Sequence, residues 1–378
     1  MIIKRLFKKP SAFFLIFLTL LFMLPSSVLA DWQSILSQQF DIVETFDDLQ
    51  DWTGLGYGDV TDLATMPIQT TGEKSIWNYY SHWGADTSKT WIGNHGENNI
   101  WRGTGKSLRI DYNTSNGSLG PSRLGLTIGS SPSDGYPSEA YTFYFSRYDV
   151  NFFPRDGDKF LPYGYLKTFE FGTGFRSAFD WGTVAEQLAA VNFPQERNVY
   201  GLNYNVLNIG VTPTYDLRID FNPRYATTSD NGDTKVLQSF YGTTSLVDDP
   251  IRTSSWFAVE HRYKMSNPAG SPTGEIEVWI YDSGGNVISH ELRTGVITFS
   301  DASMDYNHSI NKFVLGGNRD GFTTSCSDFM FIDDFIVNGS RIGPKYFELL
   351  SSQDQAGTPS SSDPVNILPP TGLRLVNN

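Results

Sequence analysis

The chain has 378 residues, a formal net charge of −13 at pH 7 and one cysteine, Cys326. That acidic balance argues against nucleic acid and anionic membrane surfaces as partners, because both are held by basic footprints. A single cysteine excludes an internal disulfide, so stability must come from a core, and 27 Phe, 19 Tyr and 9 Trp supply apolar area for one.

Residues 1–30 read as a secretory leader. Lys4, Arg5, Lys8 and Lys9 form a cationic start, and residues 12–24 are apolar apart from Thr19. Pro25 breaks the run before Val28-Leu29-Ala30, a stretch that suits a signal peptidase. The run is shorter than the roughly 20 residues a helix needs to cross a bilayer. The expected product is secreted, periplasmic or attached at the cell surface, with no membrane span after cleavage. Losing the leader removes four cations and no acids, so the mature chain is more acidic still. A polyanionic substrate is then disfavoured unless its cleft is locally positive.

Beyond the leader, residues 32–39 predict a short helix within a lead-in over 31–40, and residues 184–190 predict a second. Strand patterns dominate elsewhere, at 107–112, 141–153, 165–171, 215–221, 256–265, 275–281, 312–315 and 329–337. Residues 215–221 set an apolar face against Asp216, Arg218 and Asp220. Residues 275–281 set Ile276, Val278 and Ile280 against Glu275, Glu277, Trp279 and Tyr281. Period two with one apolar face predicts antiparallel sheets packed face to face, each offering its second face to solvent or a cleft. Asn267-Pro268-Ala269-Gly270 and Pro272-Thr273-Gly274 supply the turn between two strands. The expected organisation is an all-β, two-sheet antiparallel jelly-roll sandwich over 41–346 with long loops, then a flexible Ser/Pro-rich tail over 347–378. Two separate domains are the alternative.

Three segments carry a resemblance. Tyr141-Thr142-Phe143-Tyr144-Phe145-Ser146-Arg147-Tyr148 leads to Lys159, Leu161, Pro162 and then Tyr165-Leu166-Lys167-Thr168-Phe169. Trp256-Phe257-Ala258-Val259-Glu260-His261-Arg262 runs through Asn267-Pro268-Ala269-Gly270 into Gly274-Glu275-Ile276-Glu277-Val278-Trp279-Ile280. Leu315-Gly316-Gly317-Asn318 precedes Phe331-Ile332-Asp333-Asp334-Phe335-Ile336-Val337 and Arg341-Ile342-Gly343-Pro344. In this order they resemble the concanavalin A-like lectin/glucanase jelly-roll superfamily, nearest its polysaccharide-lyase-like branch. The resemblance implies a carbohydrate ligand but not its use, since the superfamily holds binding modules, hydrolases and lyases.

Three functions are weighed on the residues. Glycoside hydrolysis needs two carboxyl groups about one bond, and Glu275-x-Glu277 is the nearest pattern, equally suited to a solvated strand face. A lyase needs a cation or amide against a uronic carboxylate and a base for the adjacent proton. Lys167 and Arg218 suit the first role, and His261, Tyr204 or Tyr215 the second. Ion pairs with neighbouring acids, a core histidine and a core tyrosine are the plainer alternatives. Sugar binding without catalysis needs aromatic faces beside polar groups. The stretch from Trp77 through Trp83 and Trp91 to Trp101 offers these without strand periodicity, either as groove lining or as a satellite core. Trp279 with Glu277 and Arg262 is a second candidate surface. Polysaccharide binding leads, lyase activity follows, and a structural or adhesion role at the cell surface is the third class. Jelly-roll modules commonly hold calcium where first and last strands meet. Glu44, with Asp47 and Asp48, and Asp334 or Asp333 match that layout in type. Period two groups Asp334 with Met330, Ile332 and Ile336. Zinc spacings, a phosphate loop and a Gly-x-Ser-x-Gly elbow are absent from the sequence. Oligomeric state is not legible.

Overall fold

A computed structural model describes residues 31–54, 58–60, 63–82, 90–113, 122–129, 134–149, 160–172, 197–209, 212–224, 238–240, 254–265, 267–268, 273–296, 309–317, 319–322 and 327–357. The strands are β1 (Ile42–Glu44), β2 (Trp52–Thr53), β3 (Gly58–Val60), β4 (Tyr79–His82), β5 (Thr90–Gly93), β6 (Ser107–Asn113), β7 (Ser122–Thr127), β8 (Glu139–Tyr148) and β9 (Phe160–Gly172). They continue as β10 (Arg197–Ile209), β11 (Thr212–Arg224), β12 (Gln238–Phe240), β13 (Phe257–Lys264), β14 (Gly274–Tyr281), β15 (Val287–Val296), β16 (Lys312–Gly317), β17 (Arg319–Phe322) and β18 (Ser327–Asn338). Helices α1 (Trp32–Ser37) and α2 (Gly343–Gly357) flank them.

Among the described residues these strands form two antiparallel sheets. The first runs β15-β14-β13-β8-β18-β6-β5-β2, with β1 on β18; the second runs β12-β11-β10-β9-β16-β7-β4-β3, with β17 on β9. The chain crosses repeatedly between the sheets, with β9 to β12 and β13 to β15 as meanders within one sheet each, in the jelly-roll sandwich that the alternating segments predict. The core lies between the sheets. Ile276, Val278 and Ile280 of β14, Val259 and Tyr263 of β13, Leu124 and Leu126 of β7 and Phe169 of β9 all join it.

The first sheet differs from expectation on its other face, which is covered. Trp32 and Leu36 of α1 and Tyr346 of α2 pack there against Phe143, Phe145, Ala258, Tyr281 and Ile336. The reason is visible in β8, where Tyr144 and Tyr148 join the inner core while Phe143 and Phe145 pack on the opposite face. A strand apolar on both faces needs cover on both. Asp31 caps α1, its side chain accepting from the Ser34 amide at 2.6 Å. Glu260 anchors the start of α2 by accepting from the amides of Ile342 at 2.6 Å and Gly343 at 3.2 Å. Helix α2 runs to Gly357, so residues 347–357 of the expected tail are helical. The rest of that tail, the leader and the predicted helix at 184–190 lie outside the described residues. No described helix is long and apolar enough to cross a membrane.

Strand β18 breaks its own alternation. Its pairing with β8 shifts register between Asp333 and Ile336, and Asp334 adopts φ 47°. Such a bulge inserts one residue and reverses the phase beyond it. Met330, Ile332, Phe335 and Val337 therefore face the core, whereas Ile336 joins the helix-covered side. Asp334 goes with Trp32 and Tyr346 on that side, correcting the grouping that simple alternation suggests.

Candidate functional site

The second sheet gathers the polar residues that its strands alternate away from the core. Lys167 of β9 pairs with Asn203 of β10, and Asn203 pairs with Arg218 of β11. The next rows are Glu170–Gly201–Asp220 on one side and Tyr165–Asn205–Asp216 on the other. Alternating with these are Phe169–Leu202–Ile219 and Leu166–Tyr204–Leu217. Phe169 is fully buried in the core, and the period of two assigns the Lys167 row to the opposite phase of the sheet. A register shift between Leu202 and Asn203 steps over Thr168 and lets both phases hold. On β7, Arg123 neighbours the core residue Leu124 and pairs with Gly316, itself next to Leu315, the partner of Phe169. Arg123 lies in the corresponding phase of β7, but its side chain is buried. The register thus sets Lys167, Asn203 and Arg218 in one row across three strands, with Glu170, Asp216 and Asp220 in the neighbouring rows.

The register sets Lys167 and Arg218 in one row on either side of Asn203 and puts Tyr204 in the alternate phase, as it does Tyr215, which pairs with Val206. His261 is likewise remote from the row. It is fully buried, stacks on Phe169 at 4.7 Å and lies 3.4 Å from the Tyr144 hydroxyl through Nε2. Burial pulls its pKa down to about 3, so the ring is neutral across ordinary pH. That is the environment of a core histidine. Asn203 is the residue that sequence reasoning missed. Its signal was the alternation of Asn203 and Asn205 along residues 202–206, but only strand pairing shows that it joins the two cations.

The aromatic stretch disperses. Contrary to the reading of a loop without strands, it holds β4 and β5, each too short at four residues to display a period. Trp77 is buried, stacked on Phe46 at 6.0 Å, and so is enclosed rather than offered to a ligand. Trp101 lies half-buried on Phe145 at 3.8 Å and donates from Nε1 to the Tyr346 hydroxyl at 3.0 Å. Trp91 borders an open cavity on the first sheet. Trp83 lies outside the described residues.

Trp279, Glu277 and Arg262 do meet, on the edge of the first sheet, but they satisfy one another. Arg262 pairs with Glu139 at 2.7 Å and with Glu275 and Glu277 at 2.9 Å, and His290 contacts Glu277 at 2.7 Å. Trp279 is buried, stacked with His290 at 5.3 Å and approached by the Arg341 guanidinium at 4.3 Å. The arrangement works as an ion-pair network on a covered indole.

The carboxylates suggested for calcium do not fit one site. Glu44 pairs with Phe335, whose side chain faces the core, whereas Asp334 turns to the other side of the same sheet. Asp334 accepts at Oδ2 from Trp32 Nε1 at 2.8 Å and from the Tyr346 hydroxyl. Asp333 accepts from the Trp101 amide at 2.9 Å and the Asp334 amide at 3.0 Å, and Asp47 is held by Arg102 at 2.9 Å. Among the described residues no group of three or more such side chains is arranged to hold a metal ion. Burial pushes Glu44 up to about 8, and desolvation with the adjacent Asp334 charge raises Asp333 well above the carboxylate range. The cluster is a buried junction that fastens the helices to the sheet.

No protein-family model matches the sequence, and no curated protein gives a significant match to it. Solved structures with a similar arrangement include the marine PL-14 alginate lyase from Aplysia kurodai, at 13% identity and TM-score 0.40, covering 77% of this chain and 98% of that one. The endo-β-1,4-glucuronan lyase from the fungus Trichoderma reesei matches at 12% identity and TM-score 0.35, covering 70% and 91%. A GH131 β-glucanase catalytic domain from Podospora anserina matches at 12% and 0.36, covering 75% and 93%. With TM-scores this low, no residue role is carried over from them.

Proposed function

We propose that this chain is an exported protein that binds a polysaccharide across the outer face of its second sheet. The observation that carries the reading is the row Lys167–Asn203–Arg218 set by the register of three neighbouring strands. An amide between two cations suits a glycan that bears both hydroxyls and carboxylates. The flanking Glu170, Asp216 and Asp220 would confine favourable charge to one line, so the net acidity of the chain does not repel an acidic polymer from that line. Helices α1 and α2 cover part of the outer face of the first sheet, which favours the second sheet as the binding side.

A second reading, favoured by the same row, is β-elimination on a uronate. The cations and the amide would neutralise the sugar carboxylate, and a base would remove the proton on the carbon beside it. The electron pair left on that carbon forms a C=C bond as the glycosidic C–O bond breaks, and the departing oxygen takes up a proton. Tyr165, two positions from Lys167 in the next outer row, is the base candidate on this face.

Electrophoresis of the full chain through gels containing a panel of neutral and uronic polysaccharides tests the first reading. Retardation by at least one glycan is expected, with most of it lost in Lys167→Ala and Arg218→Ala at unchanged melting temperature. Mobility that no glycan alters, or retardation that both variants keep, overturns it. Ultraviolet absorbance of an unsaturated product, rising with wild type and not with Tyr165→Phe, separates the lyase from the binder.

A further inference from the structure

At the β2–β5–β6 end of the first sheet an open cavity of about 510 Å³ is lined by Asp51, Trp52, Trp91, Asn94, His95 and Arg109, with Gly93 in its wall. Trp91 pairs with Arg109, and their neighbours Ile92 and Leu108 point into the core. The cavity therefore opens on the outer face of the first sheet, away from the second sheet. Its central group is pre-organised. The Arg109 guanidinium lies 4.9 Å from the Trp91 ring centroid and 4.0 Å from that of Phe329, and its Nε donates to Asp111 at 2.6 Å. No described residue accepts from its two terminal nitrogens. Stacking and the Asp111 bond hold the planar fork in place, so little rotamer freedom is left to lose on binding a ligand oxygen.

Two further groups in the wall are unfinished. Trp91 Nε1 and His95 Nε2 are buried and have no hydrogen-bond partner among the described residues. An unmet buried donor or acceptor is unfavourable, and a ligand hydroxyl within reach of a small ring rotation would relieve it. The His95 ring, edge-on to Trp91 at 4.9 Å, is held neutral by burial and by the charge of Arg109, with its pKa pulled down to about 4. A neutral imidazole can both donate and accept. Exposed Asp51 and Asn94 supply acceptors and a donor at the rim. Aromatic walls, a fixed guanidinium fork and convergent amide, imidazole and carboxylate groups in this volume match one sugar ring better than an apolar ligand or a bare ion.

We propose that this cavity is a second saccharide site, taking one pyranose unit of a glycan chain on the reverse of the molecule. It rests on the reading that the ligand class is polysaccharide, but not on the Lys167 row being where that ligand binds. Two sites on opposite faces would let one molecule bridge two chains, or hold one chain while the other face engages another.

Calorimetric titration of the full chain with cellotetraose, laminaritetraose and tetrasaccharides of alginate and glucuronan tests it, read as stoichiometry and affinity. Wild type is expected to take up two equivalents of at least one of these. Arg109→Gln should remove one of them, with at least a tenfold loss at that site. Because that variant also breaks the Asp111 pair, Gly93→Leu is the companion. A Cβ at Gly93 meets no atom closer than 3.9 Å from His95, so the leucine can fill the cavity without displacing its wall. Both variants losing one equivalent while Lys167→Ala loses the other is the supporting result. One equivalent in wild type, abolished by Lys167→Ala and untouched by both cavity variants, overturns the second site and leaves the proposed function standing. One equivalent lost only in the cavity variants supports this site and overturns the Lys167 row. No binding of any tetrasaccharide overturns both.

Discussion

Glu44 shows how one buried side chain sets a pH dependence. It accepts from the Phe46 amide at 2.9 Å yet is pushed up to about 8, because desolvation outweighs that bond and Asp48 adds repulsion. Between pH 4.5 and 8 the folded form holds a proton that the unfolded chain has released. Stability from this group is therefore complete below about pH 4.5 and falls as pH rises toward 8. Glu260, Asp47 and Asp333 are shifted in the same direction, by desolvation first. His261 acts oppositely, since its depressed pKa makes stability rise with pH between about 3 and 6.5. The two trends oppose each other in mild acid, and above pH 6.5 the fall from Glu44 is left. Thermal melts should then fall from pH 6.5 to 8, and Glu44→Gln, which keeps an acceptor for Phe46, should flatten that fall. On this scale a shift of Glu44's size is worth a few kcal/mol at most. An identical slope in the variant would mean that Glu44 titrates normally.

At the scale of elements, Glu260 is the link between strand and helix. Its carboxylate receives the Ile342 and Gly343 amides, the Tyr281 hydroxyl at 2.6 Å and the charge of Arg341 at 3.7 Å. Glu260→Ala leaves those donors unmet in a buried site and should cost roughly 3 kcal/mol. Urea denaturation gives the loss, and hydrogen exchange should show α2 opening ahead of β13 and β14. Unchanged stability, or exchange that quickens in all three together, would remove Glu260 as the anchor. The same elements show what pattern alone conveys. The β13–β14 hairpin is legible because Val259, Tyr263, Ile276, Val278 and Ile280 alternate without a fault, and Arg262 and Glu277 face each other in register. Strand β18 is legible as a strand but not in phase, since the Asp334 bulge is invisible to a period of two. Helix α2 is hidden by serines that suit a tail. In place, Ser351 and Ser352 return their hydroxyls to the carbonyls of Phe347 and Glu348 at 2.8 Å. Lys167 and Arg218 can each be chosen from their strands, but their common partner Asn203 depends on non-local pairing that neither segment encodes.

For the whole molecule, the division of labour between sheets decides function. The first sheet gives much of its outer face to helices, a buried acid junction and the Arg262 network, and keeps the open Trp91–Arg109 cavity at its β2–β5–β6 end. The second sets Lys167 and Arg218 in one row of a chain that is otherwise strongly acidic, and the proposed glycan binding uses that row. Glycan binding on that row is most directly tested by acetylating lysines with and without a retarding polysaccharide and reading each site by mass spectrometry. Lys167 should be shielded severalfold while Lys345, half-buried on α2, is labelled equally in both. Equal labelling of Lys167 with the polymer bound would contradict recognition on the second sheet.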